Sequence, residues 1–227
     1  MLRRFLCGSS FKLSFLILIL FSSILAQKVN GDADSDCFYI PRKAKKSNRR
    51  PPVLLYLSCT GATAKDLMAN KIVGDSLGWI LVACHKCKKH RDIWLNDQDI
   101  IKTYQKVIKN YQIDSSRIFI YGFSAMGVQA LIELFLHPEI FRGAIPVCAH
   151  SQMISLARWE TLKDHLVYLI SRTEDWNLLE NKFIHQVFQE QKIKDTLVIT
   201  PGRHDIGDSI ELLKAAIWLD KNSRLKR

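Results

Sequence analysis

Arg117-Ile118-Phe119-Ile120-Tyr121-Gly122-Phe123-Ser124-Ala125-Met126-Gly127 is the stretch whose reading decides the fold. Arg117 to Tyr121 reads as an apolar strand. Met126 to His137 reads as a mostly apolar helix that Pro138 ends. A strand that enters a helix through Gly-x-Ser puts the serine on a sharp turn, with its hydroxyl exposed. Such a turn needs small neighbours, and Gly122 and Ala125 supply them. The helix N-terminus favours negative charge developing beside Ser124. Met126 stands where the pattern Gly-x-Ser-x-Gly has its second glycine. The side chain at 126 is therefore expected to be accommodated against the neighbouring strand. A plainer role for Ser124 is to cap the helix.

Working outward, strand-like runs occur at Val53 to Ser58, Trp79 to Cys84, Ala144 to Ala149, Leu166 to Ile170 and Thr196 to Thr200. They lack strict polar alternation, as expected of strands covered on both faces. Cys37 to Ile40 adds an antiparallel strand, and the basic Pro41 to Pro52 stretch then reads as a hairpin loop. Asn96 to Tyr111 carries one apolar face (Ile100, Tyr104, Val107, Tyr111), with Asp97 and Asp99 in its first turn. Leu178 to Gln191 is a second helical pattern. A third starts at a capping box of Asp208 with Glu211 and runs to about Leu219. Strands alternating with helices predict an α/β fold, a mostly parallel central sheet with helices on both faces. Sites in such sheets lie beyond the carboxyl ends of the strands.

Two of those ends carry partners for a nucleophilic serine. His204 follows the last strand, in a loop that Pro201 and Gly202 open. A near-neutral imidazole there takes the serine proton and returns it to the leaving group. Asp175 follows the Leu166 to Ile170 strand and is expected to orient that imidazole, with the adjacent Glu174 as its rival. The oxyanion is expected on the backbone N–H of Ala125 and on one from Cys59 or Thr60, in the loop after the first core strand. Trp94 and Trp176 are candidates to line a pocket. His150 follows a strand end without fitting this scheme.

On these residues, Cys37 to Leu219 resembles a compact α/β-hydrolase without a cap domain. The Tyr39 to Pro41 opening and the Pro52 to Leu57 strand are similar to the secreted esterase branch that includes feruloyl esterases and polyester depolymerases. Dienelactone-hydrolase-like enzymes are more distant kin. Those relatives usually carry His-Gly after this strand, where this chain has Ser58-Cys59. The resemblance implies the order Ser124, Asp175, His204, with the first core strand beside the one that delivers Ser124. It also implies an open site for a small-molecule or polymer-end ester, with no metal or organic cofactor.

Residues 1–26 place Arg3, Arg4 and Lys12 before the apolar run Leu13 to Ala26. This is the pattern of a signal peptide, cleaved near Ala26. The expected products are a 27–36 N-terminal segment and a single 37–227 domain, secreted or periplasmic. Retention of the run would instead anchor the chain to a membrane. Removing those three basic residues lowers the net charge from +11 to +8. The charge is dispersed and lacks an aromatic-rich basic module, so nucleic acid is not an expected partner. Of the five later cysteines, Cys84 and Cys87 form a Cys-x-x-Cys at a strand end, followed by charged residues. A redox site wants such a pair at the start of a helix. With His85 and His90 they lack the second ligand pair of a zinc site. They are left as a local disulfide, a Cys84–Cys59 bridge or free thiols. Cys148 reads as a buried core residue. The competing functions are a non-catalytic binding protein on this fold, a serine peptidase, and a thiol or metal protein built on Cys84 and Cys87.

Overall fold

The computed structural model describes residues 35–46 and 49–224. The expected signal segment, 1–26, and residues 27–34 lie outside the described residues. The strands are β1 (Cys37–Tyr39), β2 (Val53–Tyr56), β3 (Ile80–Ala83), β4 (Ile118–Phe123), β5 (Gly143–Val147), β6 (Leu166–Arg172) and β7 (Lys194–Thr200). The helices are α1 (Arg42–Lys46), α2 (Ala64–Ala69), α3 (Lys71–Leu77), α4 (Ile93–Asn110), α5 (Ala125–Leu136), α6 (Leu178–Glu190) and α7 (Ser209–Ser223). The strands form one sheet in the order β1-β3-β2-β4-β5-β6-β7, and β1 alone is antiparallel to its neighbour. This is the α/β-hydrolase fold. β2 lies beside β4, pairing Val53 with Ile118 through Tyr56 with Tyr121.

Because side chains alternate across a strand, each core strand feeds two cores. Leu55, Val82 and Ile120 face Ile100 of α4, Leu131 of α5 and Ile184 of α6. Leu54, Leu81 and Phe119 face Leu67 of α2, Val73 of α3 and Ala216 of α7. Both faces are therefore covered, which explains the near-continuous apolar strands. α5 is buried from Met126 to Phe135. A helix apolar all round is a core helix. Gln129 and Glu133 are the polar exceptions on it, both essentially inaccessible to solvent.

Several expectations need correction. β1 pairs with β3, not β2, so Pro41 to Pro52 is a crossover containing α1 rather than a hairpin loop. α4 begins at Ile93, where Asp92 accepts from the N–H of Trp94 and Leu95, so Asp97 and Asp99 sit beyond its first turn. Asp208 does cap α7 through the N–H of Ile210 and Glu211. Glu211, however, turns to Arg172 instead of completing a capping box. Cys59, Cys84, Cys87 and Cys148 are all thiols, which removes the expected bridges among them. β5 ends at Val147, so Cys148 is not a strand residue.

Candidate active site

Ser124 lies between β4 and α5 with φ +56° and ψ −124°, a conformation rare for a residue with a side chain. The surrounding backbone fixes it. Its N–H donates to the Val147 carbonyl at 2.8 Å, and its own carbonyl accepts the Gly127 N–H at 2.8 Å. Glycine is required at 122, where a Cβ would stand 2.0 Å from the Met126 carbonyl oxygen. The close approach to the neighbouring strand falls at Gly127, whose added Cβ would be 3.0 Å from the Val147 oxygen. The Met126 side chain instead turns into the core, where Cys87 Sγ lies 3.5 Å from its Sδ. The side chain at 126 is thus accommodated in the core rather than against the neighbouring strand, because the close approach falls one residue later.

The three residues expected at successive strand ends come together. Ser124 Oγ lies 2.8 Å from His204 Nε2, and His204 Nδ1 lies 2.8 Å from Asp175 Oδ1. That alignment suits transfer of the Oγ proton to Nε2 while the carboxylate holds Nδ1–H. Asp175 also accepts the Asn177 N–H at 2.9 Å. Burial pushes its carboxyl up, but hydrogen bonds from Cys148, Asn177 and His204 outweigh this and hold it below the ordinary value. Glu174, the rival, points to solvent and meets Arg203 at 3.4 Å.

The loops that carry the oxyanion candidates are in contact, with Cys59 Sγ 3.3 Å from the Phe123 carbonyl oxygen. Ala125 is the first residue of α5, so its N–H has no carbonyl one turn earlier in the helix. Cys59 and Thr60 occupy the turn after β2, and among the described residues neither N–H donates to a backbone carbonyl. Gly61 closes that turn at φ +90°, with an added Cβ only 2.3 Å from the His85 oxygen. The Cys59 carbonyl accepts Lys89 N–H, and the Cys84 carbonyl accepts Ala62 N–H. The Cys84 to Lys89 segment therefore backs this loop. Among the described residues, Cys84, His85, Cys87 and His90 do not converge as metal ligands.

Some of the architecture was not anticipated. Trp176, expected near the site, stacks on the His204 imidazole at 3.8 Å, and Phe123, not expected there, lies tilted against it at 4.8 Å. Arg172, buried at the end of β6, donates to Asp205 at 3.0 Å, Thr200 at 2.8 Å and Glu211 at 2.7 Å. It ties down the residue next to His204. The available signal was an arginine ending an apolar strand, where a guanidinium is buried only when acidic partners meet it. Cys148 is buried in the core as expected, but at φ +51° and close to Asp175 and His204. Burial, then the Asp175 carboxylate, pushes its thiol up. Trp94 is half exposed at the start of α4. His150 borders an apolar crevice with Val128, Leu131 and Ile184.

The prolyl oligopeptidase family matches this chain over residues 95–218, more than half of its length. No curated protein matches it in sequence. Among solved structures, a ferulic acid esterase superposes with TM-score 0.67 at 14% identity, over 82% of this chain and 92% of that one. FphF, a fluorophosphonate-binding serine hydrolase of Staphylococcus aureus, gives TM-score 0.64 at 12% identity, over 81% and 91%. Est1E from Butyrivibrio proteoclasticus gives 0.61 at 12%, over 87% and 98%. At such identities the likeness speaks to the fold.

Proposed function

The chain belongs to the prolyl oligopeptidase family, a serine hydrolase, and from that premise we propose that it is an exported carboxylic-ester hydrolase working through Ser124, His204 and Asp175. The observation that carries the reading is the unbroken Ser124–His204–Asp175 contact, with both links at 2.8 Å. In this reading Ser124 Oγ attacks the acyl carbon as Nε2 of His204 takes its proton. The oxyanion is held by the N–H of Ala125 and of Cys59 or Thr60. The imidazolium, held by Asp175, protonates the departing alcohol and leaves an acyl-Ser124. Water then attacks that ester, gives its proton to His204, and frees the acid and the serine. Esters suit a site with little to enclose a long chain. Between β5 and β6 the described chain forms only two short 3-10 turns, with no inserted domain. Small-molecule or polymer-end esters are the proposed substrates.

Treatment with a fluorophosphonate probe tests this directly. Wild-type protein is expected to label and Ser124→Ala is not. Hydrolysis of a short p-nitrophenyl ester is expected to fall by about 10⁴–10⁶-fold in Ser124→Ala. Labelling that survives Ser124→Ala in folded protein would sink the reading. A serine peptidase is the second reading, favoured by the family match. A higher kcat/KM on an acyl-peptide anilide than on the matching ester would select it.

Export rests on the basic-then-apolar residues 1–26. Among the described residues no helix is long and apolar enough to cross a membrane. N-terminal sequencing of the exported protein is expected to begin near Gln27. An intact N-terminus in a membrane fraction would instead mean an anchor.

A further inference from the structure

α5 carries Ser124 before its first turn and a second polar cluster at its far end. Glu133 lies on this core helix, fully buried. Its Oε1 accepts from Gln129 Nε2 at 2.7 Å, and its Oε2 has no hydrogen-bond partner. One helical turn on, His137 turns toward the same place, and Asp97 reaches it from α4. A ligand atom from each of Asp97, Glu133 and His137 falls within 4.8 Å of the other two. His137 Nε2 meets Asp97 Oδ1 at 2.6 Å, and its Nδ1 faces Glu139 Oε1 at 3.5 Å.

The geometry points to a divalent metal site between α4 and α5, with Asp97, Glu133 and His137 as ligands for a zinc-class transition ion. The sequence predicts no metal here, because Asp97 and Glu133 stand 36 residues apart in the numbering. Four features support the assignment. First, two carboxylates and one imidazole match the donor set of borderline divalent ions and balance a 2+ charge. Second, Gln129 fixes one oxygen of Glu133 and leaves the other free. An unsatisfied buried carboxylate oxygen is costly, and an ion would satisfy it. Third, Glu139 on the remote nitrogen of His137 is the outer carboxylate that orients a metal-bound imidazole. Fourth, Asp97 and His137 are partly solvent-exposed, at 19% and 25% of their side chains, so an ion has an entry path and room for a water ligand.

The ion would sit about 14 Å along the helix from Ser124 at Glu133, and about 20 Å at His137. It is therefore a clip that joins α5 to α4, not a participant in acyl transfer. Seating it opens the Asp97–His137 contact to about 3.3 Å, the ligand separation around a tetrahedral ion.

The test is calorimetric titration of chelator-treated full chain with Zn²⁺, and separately Co²⁺, alongside thermal melts. The expected result is one ion per chain and a Tm raised by on the order of 5 °C at a hundredfold excess over Kd. The Co²⁺ spectrum is expected to lack a thiolate charge-transfer band. Glu133→Gln and His137→Asn are each expected to weaken binding about 100-fold, and Glu139→Gln about 10-fold. Should Glu133→Gln fold poorly, Asp97→Asn at a less buried position gives the same readout. Cys148→Ser controls for the other group of possible ligands, Cys148, Asp175 and His204. No ion bound at millimolar Zn²⁺ overturns the proposal. So does binding that survives Asp97→Asn and His137→Asn, whether or not Cys148→Ser abolishes it.

Discussion

The turn that carries Ser124 is held by its own backbone, whereas the loop that carries His204 is held from a distance. Around Ser124 the restraints are main-chain contacts to Val147, Gly127 and Val128, plus a glycine at 122 that leaves no space for a side chain. Around His204 the restraints are side chains. Arg172 reaches Asp205 from β6, Glu211 anchors that arginine from α7, and Trp176 covers the ring. The serine is placed once β4, β5 and α5 have formed. The histidine is placed only when β6, β7 and α7 have docked. Folding and activity are thus expected to respond differently to damage in the two regions.

Gly122→Ala should have the largest effect, because the new Cβ meets main chain at 2.0 Å and nothing flexible can yield. The expected loss is about 4 kcal/mol or more, read as a collapse of soluble yield or a fall in Tm of about 8–16 °C. A variant that melts like wild type would show that the turn is less rigid than described. Arg172→Met strikes the other region. It strands Asp205 and Glu211, which keep some solvent contact, so the expected stability cost is about 2 kcal/mol by urea unfolding. Activity should suffer more than folding there, by about 10–100-fold in kcat/KM on an ester, since a small misplacement of a reacting group is amplified. Equal kcat/KM in wild type and Arg172→Met would break the comparison.

Acid should weaken the fold by a gradual route. In Asp99, Asp114 and Asp175, burial pushes the carboxyl up. Hydrogen bonds and cations overcome it: Lys102 and Arg91 for Asp99, Ser116 and Arg117 for Asp114, Cys148, Asn177 and His204 for Asp175. All three are held below their unfolded value of about 3.9, so the unfolded chain takes up protons first as pH falls. Their stabilisation is fully present above about pH 4 and is lost as pH drops through the folded values. In melts between pH 6 and pH 2.5, the contribution of these three carboxylates to Tm should be lost in the lower part of that range. A flat profile would contradict the assigned interactions. Trp176→Ala is the smallest change, expected to cost about fivefold in kcat through loss of the ring stacked on the imidazolium. Its Tm should barely move, because Trp176 is 73% exposed.

The same contrast explains what the sequence disclosed. The turn at Ser124 was legible because its determinants are contiguous: an apolar strand, Gly122, small Ala125, then an apolar helix. Even there, Met126 misled, since the tight approach to Val147 occurs one residue later, at Gly127. Asp175 and His204 were legible as polar residues just past strand ends. The choice between Asp175 and Glu174 was open in the sequence, because adjacent carboxylates differ only in which way the loop turns. Arg172, Phe123 and Cys148 gain their positions from contacts more than 20 residues away, which no local pattern encodes. Helices α2 and α3 were missed for a related reason: Lys71 to Leu77 contains Gly74, packed against Tyr39, where only tertiary contact favours a helix.

The thiols of Cys84, Cys87 and Cys148 are inaccessible, and that of Cys59 is partly shielded. Thiol–disulfide exchange requires access to the sulfur, so in the native state the three buried thiols are chemically silent. Opening the fold in an oxidising compartment would release them together, with no native bridge among them to guide re-pairing. Were the chain exported as proposed, its persistence would be a rate, set by how seldom it unfolds, and heat damage should be reversible only while a reductant is present.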